Sequence, residues 1–306
     1  MRIALVGLVV ILVVAASGSV ADATPRVAAD TPERAVKATP LDELSPAAEG
    51  PYFAWAQNSR RRPGHYDAFV QRGSQRAVRV NAPGTQGWPG AISGTTLVFQ
   101  QTGKVVPGAS DVMFFDLLRN RRAGPPRGVN TRAWEGNPGI SGDWLMFDRV
   151  SRERRVRVLR NLETGEQRWF LACVRRRLGQ RTGQINGQWV VWGDCGPHVR
   201  YSIKDERTTE TPPSPVLEAS WSPPAVAPNG DTYQSSTVNR FSACLHVLGR
   251  SATDRTRSGV IVNLDPLVDV SSLYASGTAV YYTRTDARTP GSRCGEANRD
   301  IYSIAP

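Results

Sequence analysis

The stretch Gly139-Ile140-Ser141-Gly142-Asp143-Trp144-Leu145-Met146-Phe147, continued by Arg157-Val158-Leu159-Arg160-Asn161-Leu162-Glu163-Thr164-Gly165-Glu166 and Gln167-Arg168-Trp169-Phe170-Leu171, decides the fold. A short run of small residues enters a glycine turn. Four aromatic and aliphatic residues follow with no polar alternation, then a loop, a second mixed strand, a turn at Gly165 and a last strand. These runs are short, rich in β-formers and bounded by turn residues, which predicts four antiparallel strands joined by hairpins. The run Trp144–Phe147 is apolar on both faces, so it belongs in the middle of a sheet covered on both sides.

The same pattern recurs along the chain. Turn glycines stand at Gly50, Gly94, Gly142, Gly187, Gly230 and Gly277, with successive spacings of 44, 48, 45, 43 and 47 residues. Each is followed by an apolar strand: Tyr52-Phe53-Ala54-Trp55, Leu97-Val98-Phe99, Trp144-Leu145-Met146-Phe147, Trp189-Val190-Val191-Trp192, Thr232-Tyr233 and Val280-Tyr281-Tyr282. A period of this length matches the blades of a propeller and exceeds that of helical solenoids, giving six repeats. The last repeat ends at Ile304, two residues short of the C-terminus, and lacks an outermost strand. Residues Val36 to Leu44 precede the first turn and are expected to supply it, closing the ring and removing its open edges.

Composition agrees with an all-β chain. Of 306 residues 40% are apolar and 21% charged, and 28 glycines and 22 prolines are spread throughout, which disfavours coiled coils and helix bundles. Lysine plus arginine exceed aspartate plus glutamate by 38 to 27, a formal charge of +11. Lys37, Lys104 and Lys204 are the only lysines. So lopsided an arginine ratio reads as composition bias and not as nucleic-acid binding, which concentrates both residue types on one element. At the N-terminus Arg2, the apolar run Ile3–Ala16 and the small-residue exit Ala21-Asp22-Ala23 read as a signal peptide cleaved before Thr24, too short to span a bilayer. Four cysteines in an exported chain predict two disulfides. Cys173, Cys195, Cys244 and Cys294 have no C-x-x-C spacing and no paired histidine, so zinc is not expected. Three connectivities are open. Cys173 with Cys195 and Cys244 with Cys294 is preferred, because each pair would staple neighbouring repeats.

A serine-glycine turn, an apolar strand, a loop and a strand ending Asn161-Leu162-Glu163-Thr164-Gly165-Glu166 resembles the TolB-like, WD-like β-propeller repeats of secreted bacterial proteins. The resemblance covers about residues 40 to 306. It implies an all-β, six-bladed β-propeller with a short N-terminal leader: residues 1–23 the signal peptide, 24–39 the flexible leader and 40–306 the propeller. The outer-membrane partnership of TolB is not carried over.

In a propeller blade, the loops between second and third strands and the links between blades emerge on one face. Arg60, Arg61 and Arg62 fall in the first such loop, Arg152 and Arg154 in the third, and Arg288 and Arg293 in the sixth. A basic face around a channel mouth attracts anionic polymers; its bland counterpart is a solvated arginine surface. Trp88, Trp134 and Trp221 suit interblade packing better than sugar stacking. His65, His198 and His246 read as loop or surface residues without a partner, and Asp143, Asp148 and Glu135 carry no weight as a catalytic pair among 27 acids. No G-x-S-x-G elbow occurs. The expectation is a secreted, non-catalytic propeller, monomeric, without a cofactor or metal, without nucleic acid and without stable membrane insertion. It would bind an envelope protein or anionic envelope polymer at its loop face. The competing reading is an extracytoplasmic carbohydrate-active or hydrolytic propeller enzyme.

Overall fold

The computed structural model describes residues 34–37, 39, 41–103, 109–151, 154–171, 183–193, 198–210, 224–240, 243–251, 259–263, 268–277, 279–286 and 299–304. They form an all-β propeller arrangement of four-stranded antiparallel sheets. After β1 (Arg34–Lys37), the first sheet runs β2 (Glu43–Glu49), β3 (Tyr52–Ser59), β4 (Arg62–Arg72) and β5 (Val78–Arg79). The second is β6 (Gln86–Ser93), β7 (Thr96–Thr102), β8 (Ser110–Asp116) and β9 (Arg121–Ala123). The third, from the stretch that opened the sequence reading, is β10 (Trp134–Ser141), β11 (Trp144–Val150), β12 (Arg155–Asn161) and β13 (Gln167–Leu171). The fourth holds β14 (Gly183–Asn186), β15 (Trp189–Trp192), β16 (Val199–Ser202) and β17 (Arg207–Glu210), and the fifth β18 (Ala225–Val226), β19 (Thr232–Arg240), β20 (Ala243–Ser251) and β21 (Gly259–Asn263). The last joins β22 (Val268–Ala275), β23 (Val280–Asp286) and β24 (Arg299–Ile304) to β1.

The innermost strands contact one another in a closed cycle: β2 against β6, β6 against β10, β10 against β14, β14 against β18, β18 against β22, and β22 against β2. Every expected turn glycine lies between the first and second strands of its sheet. Gly50, Gly94, Gly142, Gly187 and Gly230 have positive φ, between +54° and +87°, where a side chain is strained. The second strands form the core: Leu97, Val98, Phe99, Leu145, Phe147, Val190 and Val191 are essentially inaccessible. Trp88 and Trp134 are buried as well, which places both in interblade packing.

Two features depart from the sequence reading. Strand β1 supplies the closing strand expected from Val36 to Leu44 but runs Arg34–Lys37, inside the segment read as leader, pairing Arg34 with Ser303, Ala35 with Tyr302 and Lys37 with Ile301. A four-residue strand set among alanine, proline and charge has no periodicity of its own; the open edge of β24 supplies its reason to exist. The innermost strands also carry a bulge the sequence reading did not foresee. Register shifts occur between Leu44 and Ala47, Pro89 and Ala91, Gly136 and Gly139, and Val270 and Leu273. Ser45 and Asn137 occupy left-handed φ at two of these bulges. The bulges pack tightly, since a Cβ on Gly90 would fall 2.0 Å from the carbonyl oxygen of Pro138 on the next innermost strand.

Candidate functional site

The two ends of the ring differ in chemistry. At the end bearing the glycine turns a cavity of about 470 Å³ is lined from all six sheets, by Glu49 and Gly50, Ser93, Ser141 and Gly142, Asn186 and Gly187, Pro228, and Ser276 and Gly277, with Tyr274 and Tyr281 in its wall. A relay of hydrogen bonds joins neighbouring turns. The N–H of Gly94 donates to Glu49 Oε1 at 2.9 Å, that of Gly142 to Ser93 Oγ at 2.9 Å, and that of Gly187 to Ser141 Oγ at 2.8 Å. The residue closing each innermost strand therefore holds the turn of the next sheet. Asn186 continues the relay differently, donating through Nδ2 to the carbonyls of Val226 and Ala275. Beneath it the buried Gln184 donates to the Ala275 carbonyl at 2.8 Å and accepts from the N–H groups of Val226 and Ala275. Its carboxamide thus reaches from the fourth sheet to the sixth, past the two-residue strand β18.

The arginines singled out in the sequence that the structure describes lie at the opposite end, whereas exposed Arg72, Arg76, Arg119 and Arg121 stand on turns between third and fourth strands at the glycine-turn end. Arg60 and Arg61 sit in the turn between β3 and β4, Arg62 begins β4, and Arg154 lies between β11 and β12; all four are exposed. Arg127 and Arg132, in the link from β9 to β10, are exposed too and were not singled out in the sequence. Two acids near this end are engaged with other arginines. Asp67 pairs with Arg79 Nη2 at 2.9 Å, and Glu135 with Arg149 Nε at 2.9 Å. Arg149 also donates to the carbonyls of Gly128 and Val129.

Between the ends runs a belt of buried polar groups. Asp148 and Arg157 face each other on β11 and β12, with Nε 2.9 Å from Oδ1, and Asn137 Nδ2 donates to Asp148 Oδ2 at 3.0 Å. Glu135 accepts from Thr131 Oγ1 at 2.6 Å besides Arg149, and burial pushes its carboxyl above the usual carboxylate range. An equivalent latch joins Thr39, Glu43 and Gln57: the Thr39 hydroxyl and Gln57 Nε2 both donate to Glu43 Oε1, the latter at 3.0 Å. Glu43 and Glu135 each stand seven residues before a turn glycine, Gly50 and Gly142. That shared offset is the signal by which sequence reasoning could have found the belt.

Of the other residues singled out in the sequence, Asp143 is an exposed turn residue, whereas Asp148 and Glu135 belong to the belt. His65 has a partner, contrary to expectation, with Nε2 3.7 Å from Asp67 Oδ1. His198 lies against Gly193, where a Cβ would fall 2.0 Å from its ring. Residues 1–33, Arg152, Cys173, Cys195, Trp221, Arg288, Arg293 and Cys294 lie outside the described residues, as do the side chains of Cys244 and His246. Among the described residues no three His, Cys, Asp or Glu side chains are grouped to hold a metal ion, and no helix is long and apolar enough to cross a membrane.

No protein-family model matches the chain, and no curated protein matches it in sequence. Solved structures do resemble it. A protein of Bacteroides thetaiotaomicron of unknown function matches at 11% identity over 90% of this chain and 72% of its own, with a TM-score of 0.49. A puromycin-hydrolyzing peptidase of Mycobacterium tuberculosis matches at 11% identity over 84% of this chain and 53% of its own, with a TM-score of 0.42. A protein assigned to TolB from Agrobacterium tumefaciens matches at 11% identity over 88% of this chain and 91% of its own, with a TM-score of 0.53. At that identity the likeness is one of fold, and the chain is an all-β propeller similar in architecture to that TolB.

Proposed function

We propose that this chain is an exported six-bladed propeller, each four-stranded sheet counted as one blade, that binds an envelope protein or anionic envelope polymer without catalysing a reaction. The binding face is the end bearing Arg60, Arg61, Arg62 and Arg154, with Arg152, Arg288 and Arg293 placed on the same end by the blade pattern. One observation carries this reading. The acids Asp67 and Glu135 are tied to Arg79 and Arg149, while the exposed Arg60, Arg61, Arg62 and Arg154 stand at the same end. Exposed guanidinium forks suit carboxylate and phosphate groups. The proposal includes removal of residues 1–23, a leader from Thr24, two disulfides among the four cysteines and a monomeric state.

The test compares wild type with the triple variant Arg60→Ser, Arg61→Ser, Arg62→Ser for retention on phosphatidylglycerol vesicles and on a phosphate-bearing wall polymer, at low and physiological salt. Exposed arginines contribute little to stability, so the melting temperature should change little while retention falls severalfold. Salt should weaken the wild type in the same way. Equal and salt-insensitive retention of both proteins would refute an anion-binding role.

A further inference from the structure

The cavity at the glycine-turn end is a second candidate site, and its chemistry differs from that of the arginine end. Among the described residues no arginine, lysine or histidine lines it, although the chain carries a formal charge of +11. The two mouths lie at opposite ends of strands such as β3, whose eight residues span about 26 Å at roughly 3.3 Å per residue.

The relay between turns leaves defined hydrogen-bonding capacity at this mouth. Ser93 Oγ and Ser141 Oγ each accept a glycine N–H, which leaves each hydroxyl hydrogen to donate. Asn186 spends its Nδ2 on two carbonyls, which leaves Oδ1 to accept. Glu49 accepts the Gly94 N–H through Oε1 and has a second acceptor oxygen. Donors and acceptors therefore stand around one rim, supplied by different sheets and held in place by the fold. Tyr274 and Tyr281 add aromatic wall, their centroids 6.5 Å apart, and Tyr281 packs on Phe53 at 5.7 Å. A ligand group that both donates and accepts, set on a partly apolar ring, matches this lining. Among the described lining residues an anion meets Glu49 with no compensating base, and a cation finds one exposed carboxylate. About 470 Å³ is within the range of small-molecule sites.

We propose that this mouth binds an uncharged saccharide unit, independently of the arginine-bearing end.

Saturation-transfer difference NMR on the mature chain tests this, with arabinose, N-acetylglucosamine and maltose as neutral probes and glucuronate and glucosamine as charged counterparts. Gly277 offers a clean perturbation: its φ lies outside the left-handed region, and a Cβ there would meet only Pro228 Cγ, at 4.0 Å. Gly277→Phe should block the mouth and abolish transfer, whereas Gly277→Ala should retain it. Ser93→Ala removes one donor, and the Gly142 N–H it leaves is exposed to water. It should weaken binding by about five- to tenfold, the usual effect of one hydrogen bond. The triple arginine variant should bind the neutral sugar as wild type does, so failure at one end is distinguishable from failure at the other. Absence of transfer to every neutral probe at millimolar concentration would overturn the proposal. So would transfer unaffected by both Gly277→Phe and Ser93→Ala, or a preference for glucuronate.

Discussion

Replacing Arg157 with Met should be among the most damaging single substitutions in the third sheet. Arg157 and Asp148 are each only 1% exposed, paired at 2.9 Å on directly opposed positions, and Arg157 also lies over the Trp192 ring, 5.6 Å from its centroid. Methionine fills much of the same volume but leaves Asp148 as a buried carboxylate without its guanidinium. Breaking a buried pair from one side costs about 3–5 kcal/mol, chiefly through the charge left behind. At roughly 2 °C per kcal/mol for a domain of this size, the melting temperature should fall by about 6–10 °C. The double variant Asp148→Leu, Arg157→Met removes both charges and should recover most of that loss. A surface pair supplies the internal control. Arg119 and Asp116 are equally close, at 3.0 Å, but Arg119 is 70% exposed, and Arg119→Ala should shift the midpoint by no more than about 2 °C. Thermal and urea unfolding followed by circular dichroism would measure all four proteins. The reasoning fails if Arg157→Met loses less than about 1 kcal/mol, or if the double variant is less stable than the single one.

Glu135 predicts a pH signature. Burial raises its carboxyl above the ordinary 4.5, so the folded state holds the proton more tightly than the unfolded chain; the resulting stabilisation is complete below pH 4.5 and disappears as pH rises through the folded value. Glu135→Gln should therefore gain stability relative to wild type as pH increases across that interval, and a difference independent of pH in urea titrations would contradict it. Gly142→Ala, at φ +54°, should cost about 1 kcal/mol, whereas Gly277→Ala should be near neutral; equal melting temperatures for the two would remove the turn argument. Truncation after Lys37 strips β1 from β24 and should lower the melting temperature and speed amide exchange across Ile301–Ser303, while unchanged exchange would show that the clasp contributes nothing.

The parts of the fold legible in the sequence are those where one residue type answers one local demand. A turn between two antiparallel strands needs positive φ, and glycine meets it, so Gly50, Gly94, Gly142 and Gly187 mark real turns at regular spacing. A strand covered on both faces needs apolar residues throughout, and Trp144–Phe147 has them. Strand β1 was legible only in part: a closing strand was expected from Val36 onward, but its bounds depend on an edge 264 residues away, as the numbering of Lys37 and Ile301 gives, and nothing in Arg34–Lys37 itself fixes them. The bulges were illegible for a related reason. Ser45 and Asn137 are ordinary loop-forming types, and each is followed by proline, which reads as a loop until the neighbouring innermost strand is present to pack against it.

The polar belt shows why carboxylates resist assignment from sequence. Asp143 and Asp148 are five positions apart in one hairpin, yet the first is an exposed turn residue and the second is almost fully buried. Residue type cannot separate them; the pleat and the partner strand do, because Asp148 falls opposite Arg157 across β11 and β12. The same logic governs the arginines. Arg149, Arg157 and Arg168 look like members of one basic composition, but Arg149 holds Glu135, Arg157 holds Asp148, and Arg168 bridges to the fourth sheet through Glu206, the Tyr201 hydroxyl and the Ile203 carbonyl. Interior acids thereby consume part of the arginine excess as internal struts. What is left outside stands at both ends, with Arg60, Arg61, Arg62 and Arg154 at one and Arg72, Arg76, Arg119 and Arg121 on the turns between third and fourth strands at the other, while among the described residues no arginine, lysine or histidine lines the glycine-turn mouth itself. A net charge of +11 therefore does not describe the glycine-turn mouth, whose described lining carries Glu49 as its charged side chain.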